Sequence, residues 1–211
     1  MVSKNVQILL AGLSLVLILA CATAQPKIRM EVLSALPGGQ VTFAGKPLHL
    51  IGSPIPVSMG RPLPSVKLTD AFTMEEVDPS TLRGSVLFLS VVPSLDTPVC
   101  ETQTHYLGEQ GTRIPPSVKR ITISRDTPFA QKRFATEAKL TKIQYLSDYK
   151  EGAFGRSTGL LIDGLMLDAR AVILVDKQGV VRYIQVVPEL THLPDMEKAF
   201  DVATELSREG Q

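Results

Sequence analysis

The sequence predicts an α/β structure in which helices cover a central mixed sheet. Apolar stretches of strand length alternate along the chain with more polar stretches of helix length. Near the C-terminus, two apolar stretches are joined by Asp176–Gly179, a turn that is typical of an antiparallel hairpin. The chain has 211 residues, 44% of them hydrophobic and 20% charged, which is enough for one substantial core and requires no second domain.

A short hairpin is the first predicted element. Val41–Phe43 and Leu48–Leu50 flank the turn sequence Ala44–Pro47, so we expect them to pair. An extended connection follows, marked by four prolines: Pro54, Pro56, Pro62 and Pro64. Val66–Thr69 is predicted as the strand after this connection.

Four more strands and three helices complete the predicted sheet and its cover. The strands are Ser85–Val92 at the centre of the sheet, Val118–Ser124, Ala171–Val175 and Val180–Val187. The helices are Thr97–Gly111, Pro128–Lys139 and Pro194–Arg208. In the last helix apolar residues recur at helical spacing, which indicates that one of its faces packs on the core.

The N-terminus resembles an export signal. Lys4 precedes the apolar run Ile8–Ala20, which is too short to span a bilayer comfortably but suits the hydrophobic region of a signal peptide. Ile18–Cys21 resembles the lipobox of bacterial lipoprotein signals, in which the cysteine carries lipid and becomes the first residue of the mature chain. We therefore predict a signal peptide over residues 1–20 and lipid on Cys21.

A second cleavage site stays open as an alternative. The small residues Ala22–Ala24 allow cleavage after Ala24, which would release a soluble protein. Both alternatives export the chain, either to a lipid anchor on the periplasmic side of a bacterial membrane or to the soluble periplasm. Residues 21–40 are predicted as a tether and residues 41–211 as the folded domain.

Charge and histidine placement exclude some partners. The formal net charge is +1, and without residues 1–20, which hold Lys4, 21 basic residues balance 21 acidic ones. This balance gives no electrostatic reason to expect a nucleic-acid partner. His49, His105 and His192 show no ligand spacing, so no metal and no other cofactor is predicted.

The segment Pro93–Cys100 holds the residue types that carry chemistry. It joins the central strand to the first helix, which places Cys100 in the first turn of that helix. Free backbone N–H groups and the positive end of the helix dipole favour a thiolate there, and the thiolate is the reactive form. A small buried hydrophobic residue is the alternative interpretation. If Cys21 is acylated, Cys100 has no partner in its own chain, which is unusual in an exported protein.

The surroundings of Cys100 narrow the choice of reaction. A protease nucleophile needs an oriented base, and His105, five residues further on, falls off the same helical face and is predicted at the surface. The chain has no Cys-x-x-Cys motif, which excludes disulfide exchange of the thioredoxin type. Peroxide reduction fits, because sulfur attacks one oxygen to give a sulfenic acid while the other oxygen leaves with developing negative charge.

Pro93-x-x-x-Thr97-x-x-Cys100 is the active-site pattern of the peroxiredoxins, and the chain resembles their bacterial thiol peroxidase branch. The resemblance runs from about Val41 to Leu206 and includes four further segments, Val41–Leu48, Asp126–Phe134, Leu167–Val172 and Val187–Thr191. It implies a thioredoxin-like (peroxiredoxin) fold, with a central mixed sheet flanked by helices and an N-terminal β-hairpin. It also implies an enzyme that reduces hydrogen peroxide and small alkyl hydroperoxides with a thiol.

The resemblance implies roles for four residues. Cys100 would be the peroxidatic thiolate, and Thr97 would present its hydroxyl to the sulfur and to peroxide. Pro93 would close the pocket against water, and Arg170 would place a permanent positive charge beside the sulfur. Simpler structural roles are the alternatives: an N-cap for Thr97, a strand end for Pro93 and a surface cation for Arg170.

The chain departs from the thiol peroxidase pattern at Ala135, where the pattern has a resolving cysteine. We therefore predict one-cysteine turnover, in which a thioredoxin-like protein or a low-molecular-weight thiol reduces the sulfenic acid. Arg133 either supports the same site or pairs with Asp126. The resemblance also implies a homodimer. Two other functions stay open: an exported redox sensor or interaction lipoprotein with little turnover, and a structural lipoprotein in which Cys100 is inert.

Overall fold

The computed structural model describes residues 28–110 and 113–209. This part of the chain contains ten strands and four α-helices, joined by loops. The strands are β1 (Gln40–Phe43), β2 (Lys46–Ile51), β3 (Leu68–Asp70), β4 (Glu76–Val77), β5 (Leu87–Val91), β6 (Lys119–Ser124), β7 (Gln144–Ser147), β8 (Leu161–Ile162), β9 (Ala171–Val175) and β10 (Val181–Val186). The helices are α1 (Pro98–Glu109), α2 (Pro128–Glu137), α3 (Ala153–Thr158) and α4 (Met196–Arg208).

Seven of the strands form the central sheet, in the order β10-β9-β5-β6-β7-β3-β4. Strands β5, β6 and β7 are parallel to one another, and the other pairs are antiparallel. The sheet is therefore mixed, as the sequence predicts. Strands β5 and β9 lie next to each other at its centre and are buried over their whole length, which explains their continuous apolar sequences.

Successive residues of the central strands contribute to two cores, one on each face of the sheet. In β9, Ile173 and Val175 belong to the core that also contains the hairpin residues Val41 and Leu50. Leu174, between them, belongs to the second core, which packs against α1 and α4. The four apolar residues that were expected to face the core from α4 after Met196 all lie in this second core: Ala199, Phe200, Ala203 and Leu206.

The N-terminal hairpin of β1 and β2 is present and is extended to three strands by β8. Its turn, Ala44 and Gly45, has both residues at positive φ, 49° and 76°, as a tight hairpin turn requires. The Glu189 carboxylate fixes this turn, because it accepts hydrogen bonds from Ala44 N at 2.9 Å, Gly45 N at 3.0 Å and Thr42 Oγ1 at 2.8 Å. The tip of the hairpin is thus joined to the segment after β10.

Residues 28–39, which we call the strap, run along the edge of β10. Ala35 N donates to Val186 O at 2.8 Å, and Glu31 N donates to Leu193 O at 2.8 Å. This pairing covers the edge of the central sheet. The tether predicted over residues 21–40 is therefore bound to the domain from Met30 onward. Its first residues, Cys21 and the predicted signal peptide lie outside the described residues.

Most predicted elements match the observed ones to within one or two residues. Strand β9 has the predicted bounds, and β10 pairs with it through the predicted turn. Four short elements were not predicted: β4, β7, α3 and β8. Within residues 28–110 and 113–209, no helix combines the length and the apolar character that crossing a membrane requires.

Candidate active site

Cys100 lies in the first turn of α1, directly after the loop that leaves the end of β5. Thr97 is the N-cap of this helix, and Cys100 is its third residue. The side chain is buried, with 0% exposure, and packs in the core between the sheet and α4. Burial alone also fits the interpretation of Cys100 as an inert hydrophobic residue. The groups around the sulfur therefore distinguish this interpretation from that of a reactive thiolate.

Arg170 contacts the sulfur. Its Nη2 lies 3.4 Å from Cys100 Sγ, although the two residues are 70 positions apart in the sequence. The antiparallel pairing of β5 with β9 explains the approach, because it sets Ala171 opposite Val91 and so brings Arg170 to the loop that follows β5. Arg170 is only 2% exposed, so the alternative of a surface cation is wrong.

The guanidinium of Arg170 is fixed by neutral partners. Nε and Nη2 donate to Leu190 O at 3.1 Å and 3.0 Å, and Nη1 donates to Gln103 Oε1 at 2.8 Å. The Gln103 side chain is held in turn, because its Nε2 donates to Ser90 Oγ at 2.8 Å. Arg170, Gln103 and Ser90 thus form a chain of hydrogen bonds from the sulfur to the centre of the sheet.

The electrostatics of Arg170 favour an anion at Cys100. A buried guanidinium is costly unless it is paired with a negative charge. Among the described residues, no carboxylate forms an ion pair with Arg170. Burial lowers the pKa of Arg170, and the neighbouring Cys100 opposes that change. The Cys100 sulfur, 3.4 Å from Nη2, is the group in contact with Arg170 that is able to carry a negative charge.

Thr97 and Pro93 line the outer side of the site. The Thr97 hydroxyl donates to Ser94 O at 3.0 Å and makes no capping hydrogen bond to α1. The expected capping by its side chain is therefore wrong, although Thr97 does occupy the N-cap position. The hydroxyl oxygen retains its capacity to accept a hydrogen bond, because a hydroxyl has one donor and two acceptor sites.

An apolar pocket of about 490 Å³ opens beside these residues. Arg170 and five residues of the loop and the start of α1 form one part of its wall: Pro93, Ser94, Thr97, Pro98 and Val99. Cys100 is 0% exposed and does not line the pocket. The rest of the wall is mostly apolar and comes from the hairpin tip and from the loops around β8 and after β10: Phe43, Ile162, Leu165, Leu167, Leu190 and Thr191. Sequence reasoning did not predict this pocket, because its walls come from segments distant in the sequence.

Asp126 holds the loop that precedes Cys100. Its carboxylate accepts hydrogen bonds from Leu95 N and Ser94 Oγ, both at 2.7 Å, and from Ser124 Oγ at 2.7 Å. Arg133 takes no part in this cluster; its Nη2 lies 3.6 Å from Asp96 Oδ1 at the surface. Pairing of Arg133 with Asp126 is therefore wrong; because Asp96 belongs to the loop Pro93–Cys100, support of the site by Arg133 stays a prediction.

Asp168 is a buried acid two residues before Arg170. Neither of its carboxyl oxygens has a hydrogen-bond partner, and a Cβ at Gly155 would lie 2.1 Å from its Oδ1. Burial raises its pKa well above the usual value; the charge of Asp148 raises it further, and that of Arg125 lowers it. Sequence reasoning gave this residue no role.

The described histidines do not approach the sulfur closely enough to act as its base. His105 lies between two carboxylates on the outer face of α1, with Nδ1 2.7 Å from Glu109 Oε1 and Nε2 3.8 Å from Glu101 Oε1. His192 is bound to Glu31, with Nδ1 3.3 Å from Oε2. Among the described residues, the Arg170 guanidinium is therefore the basic group in contact with the Cys100 sulfur.

Known proteins resemble this chain over most of its length. Residues 58–200 match the family model described as Redoxin. The chain belongs to the Redoxin family. A curated thiol peroxidase of Halalkalibacterium halodurans is 38% identical over 166 residues, covering 77% of this chain and 96% of the relative. The thiol peroxidase of Bacillus subtilis is 36% identical over 167 residues, covering 79% and 98%.

Two solved structures have the same fold as this redoxin. A peroxiredoxin-like protein from Aquifex aeolicus superposes with a TM-score of 0.74 at 31% identity, over 82% of this chain and 99% of the other. The thiol peroxidase from Chromobacterium violaceum has the same fold, with a TM-score of 0.68 at 22% identity, over 82% and 98%. The predictions of a thioredoxin-like peroxiredoxin fold and of a peroxidase enzyme are confirmed. The roles of individual site residues stay predictions.

Proposed function

We propose that this redoxin is a thiol peroxidase that reduces hydrogen peroxide and small alkyl hydroperoxides through a sulfenic acid on Cys100. Curated relatives at 36–39% identity support thiol-dependent peroxidase function. One observation carries the assignment to Cys100: a buried guanidinium without a carboxylate lies 3.4 Å from its sulfur. An inert buried cysteine does not account for that cation.

The first step is attack of the Cys100 thiolate on one oxygen of the hydroperoxide. A sulfur–oxygen bond forms and the oxygen–oxygen bond breaks, so Cys100 becomes a sulfenic acid and the other oxygen leaves as an alcohol or water after protonation. Arg170 stabilises the thiolate and then the charge that develops on the leaving oxygen. Thr97 accepts a hydrogen bond from the peroxide, and Pro93 excludes water from the reacting atoms.

The second step uses a thiol from outside the chain. Ala135 lies buried on α2, at the position where thiol peroxidases have a resolving cysteine, and Cys100 is the only cysteine among the described residues. A thioredoxin-like protein or a low-molecular-weight thiol attacks the sulfenic sulfur, which gives a mixed disulfide and releases water. A second thiol then reduces the mixed disulfide and restores Cys100.

The proposal also places the enzyme at a membrane. The lipobox-like sequence Ile18–Cys21 supports lipid on Cys21 and a position on the periplasmic side of a bacterial membrane. The mature protein is proposed to be a homodimer, which sedimentation of the purified chain measures. Intact-mass measurement tests the anchor, because a mature chain that begins at Gln25 contradicts lipidation.

A peroxidase assay tests the reaction. We expect the native chain to consume hydrogen peroxide with dithiothreitol, and Cys100→Ser to consume none. Arg182→Ala is the matched control, because it removes a partly exposed arginine that pairs with Asp176 and Glu209, at the opposite end of β9 from Arg170. A single stoichiometric oxidation without turnover would instead identify a redox sensor, and no oxidation would identify a structural lipoprotein.

A further inference from the structure

The strap presents a cluster of large apolar side chains to solvent. Val32, Leu33 and Leu36 are 73%, 67% and 77% exposed, and they fall within five consecutive positions. Isolated exposed apolar residues are ordinary on a protein surface, but several together mark a surface that meets an apolar partner. The question is which partner lies next to this segment.

The backbone under this cluster is held by the domain. Val32 N and Leu33 N donate to Glu31 Oε1 at 3.0 Å and 3.1 Å, and Gln185 Nε2 donates to Leu33 O at 3.1 Å. Ser34 Oγ accepts from Val186 N at 3.0 Å. A segment that enters the apolar part of a bilayer must have its backbone polar groups satisfied by protein; here the Glu31 side chain of the strap satisfies Val32 N and Leu33 N, and Gln185 of the domain satisfies Leu33 O.

The strap begins close to the proposed lipid anchor. Cys21 precedes Ile28 by seven residues, which span at most about 25 Å when fully extended. An anchored chain therefore keeps the strap within reach of the headgroup layer. Once the anchor holds the domain there, even a weakly binding apolar surface becomes occupied, because the second contact is intramolecular.

The charges beside the cluster fit an anionic membrane surface. Arg29 is exposed at the start of the strap, and Lys27 precedes it in the sequence. Basic residues next to an apolar segment are attracted to anionic headgroups. The acid in this part of the strap, Glu31, is turned inward, where its Oε2 lies 3.3 Å from His192 Nδ1.

We propose that the strap docks on the bilayer, with Val32, Leu33 and Leu36 inserted at the boundary between headgroups and acyl chains. The inference rests on the lipid anchor of the proposed function. Docking of the strap fixes the orientation of the domain on the membrane. The strap, which pairs with β10, lies at the bilayer, whereas α2 packs on β7, four strands away in the sheet. At the usual strand spacing that separation is about 20 Å.

Tryptophan fluorescence tests this orientation, because the chain has no tryptophan. Leu33→Trp places the probe in the cluster, and Phe129→Trp is the matched control on α2, where Phe129 is 71% exposed. The full lipidated chain is reconstituted in vesicles of phosphatidylethanolamine and phosphatidylglycerol with brominated acyl chains. We expect bromine to quench the probe at position 33 with a blue-shifted emission, and to leave the probe at position 129 unquenched.

Two results overturn docking. One is equal emission from both probes, with no quenching of either. The other is a blue shift at position 33 that grows with protein concentration and needs no vesicles, since this identifies a second copy of the chain as the partner. Peroxide consumption by Leu33→Trp is expected to match that of the native chain, which shows that the fold is intact.

The anchor is tested separately with Cys21→Ser and vesicle flotation. Loss of flotation in Cys21→Ser, together with quenching at position 33 in the native background, supports both the anchor and the docked strap. Flotation that depends on Cys21 without quenching retains the anchor and overturns docking. Quenching at position 33 with flotation that does not depend on Cys21 retains docking and overturns the anchor.

Discussion

Arg170 makes four contacts that a lysine cannot reproduce. Its three nitrogens reach Leu190 O, Gln103 Oε1 and Cys100 Sγ from one planar group, whereas an ammonium is a single point. We expect Arg170→Lys to lower kcat/KM for hydrogen peroxide by roughly 10²–10³, as the loss of a positioned donor to a developing oxyanion does. Steady-state peroxide consumption measures the change.

The matched control for that substitution is Arg182→Lys, which changes an arginine on β10 whose Nη1 lies 3.2 Å from Asp176 Oδ2 and 3.0 Å from Glu209 Oε2. We expect it to leave kcat/KM near the native value. Native activity in Arg170→Lys would contradict the role assigned to the guanidinium.

Asp168 makes stability depend on pH. Burial and the Asp148 charge raise its pKa well above the usual value, against the opposing charge of Arg125. A carboxyl whose pKa is higher in the folded state stabilises the fold most below its unfolded value of about 3.9, and that stabilisation is lost as pH rises toward the folded value. The substitution Asp168→Asn removes the carboxyl group that titrates, and with it this loss of stability at higher pH.

We therefore expect the unfolding free energy of Asp168→Asn, relative to the native chain, to increase as pH rises from 4 to 7. The difference changes by at most about 1.4 kcal/mol per pH unit for one proton. Urea unfolding at several pH values measures it. Parallel pH profiles of the two proteins would show that Asp168 has no perturbed titration.

At the scale of elements, the β1–β2 hairpin depends on Glu189. Burial raises the pKa of this carboxyl, but hydrogen bonds from Gly45, Thr42 and Thr191 outweigh it and lower the pKa to about 2. A lowered pKa stabilises the fold above the usual value of 4.5, and the stabilisation is lost as pH falls toward 2.

Glu189→Gln should lower the unfolding free energy at pH 7 by about 1.5–3 kcal/mol, the range for a hydrogen bond to a charged group. We expect the difference from the native chain to shrink between pH 4.5 and pH 2, because the native carboxyl is protonated there. Chemical denaturation across this range measures it. A difference that stays constant would mean that the carboxylate charge does not hold the hairpin.

Strands were predictable from the sequence where burial of both faces of the sheet requires a continuous run of apolar residues. Ala171–Val175 is apolar throughout because both faces of the central sheet are covered, and its predicted bounds are those of β9. Strand β7 has only four residues, and β4 and β8 have two each, too few for a period to show. Their pairing depends on neighbours far away in the sequence.

The contact between Cys100 and Arg170 was predictable from the sequence, and the side chains that surround it were not. Cys100 and Arg170 follow from the motif and the family resemblance, and the geometry brings them together. Gln103 was missed because a glutamine in a helix is usually at the surface; its position three residues after Cys100, on the same helical face, was the available signal. The apolar pocket was missed because its walls come from distant segments.

At the scale of the whole molecule, the fate of the oxidised sulfur is set by the absence of a second thiol near Cys100 among the described residues. After one equivalent of peroxide, we expect non-reducing mass spectrometry to find sulfenic acid, or a mixed disulfide with added thiol, on Cys100. Excess peroxide without thiol should give the sulfinic form, since residues 28–110 and 113–209 hold no second thiol to capture the sulfenate. A disulfide between Cys100 and Cys21 would contradict one-cysteine turnover.

The beginning of α1 has a consequence for how the enzyme is recycled. The Cys100 sulfur has no exposed surface, so no protein thiol reaches it while the first turn of α1 stays wound. That turn has no side-chain cap, because the Thr97 hydroxyl bonds to Ser94 O, and a missing cap lowers the cost of unwinding by about 1 kcal/mol. Reduction by a protein thiol therefore requires local unwinding of this turn, and we expect the stability of the turn to limit how fast such a reductant acts.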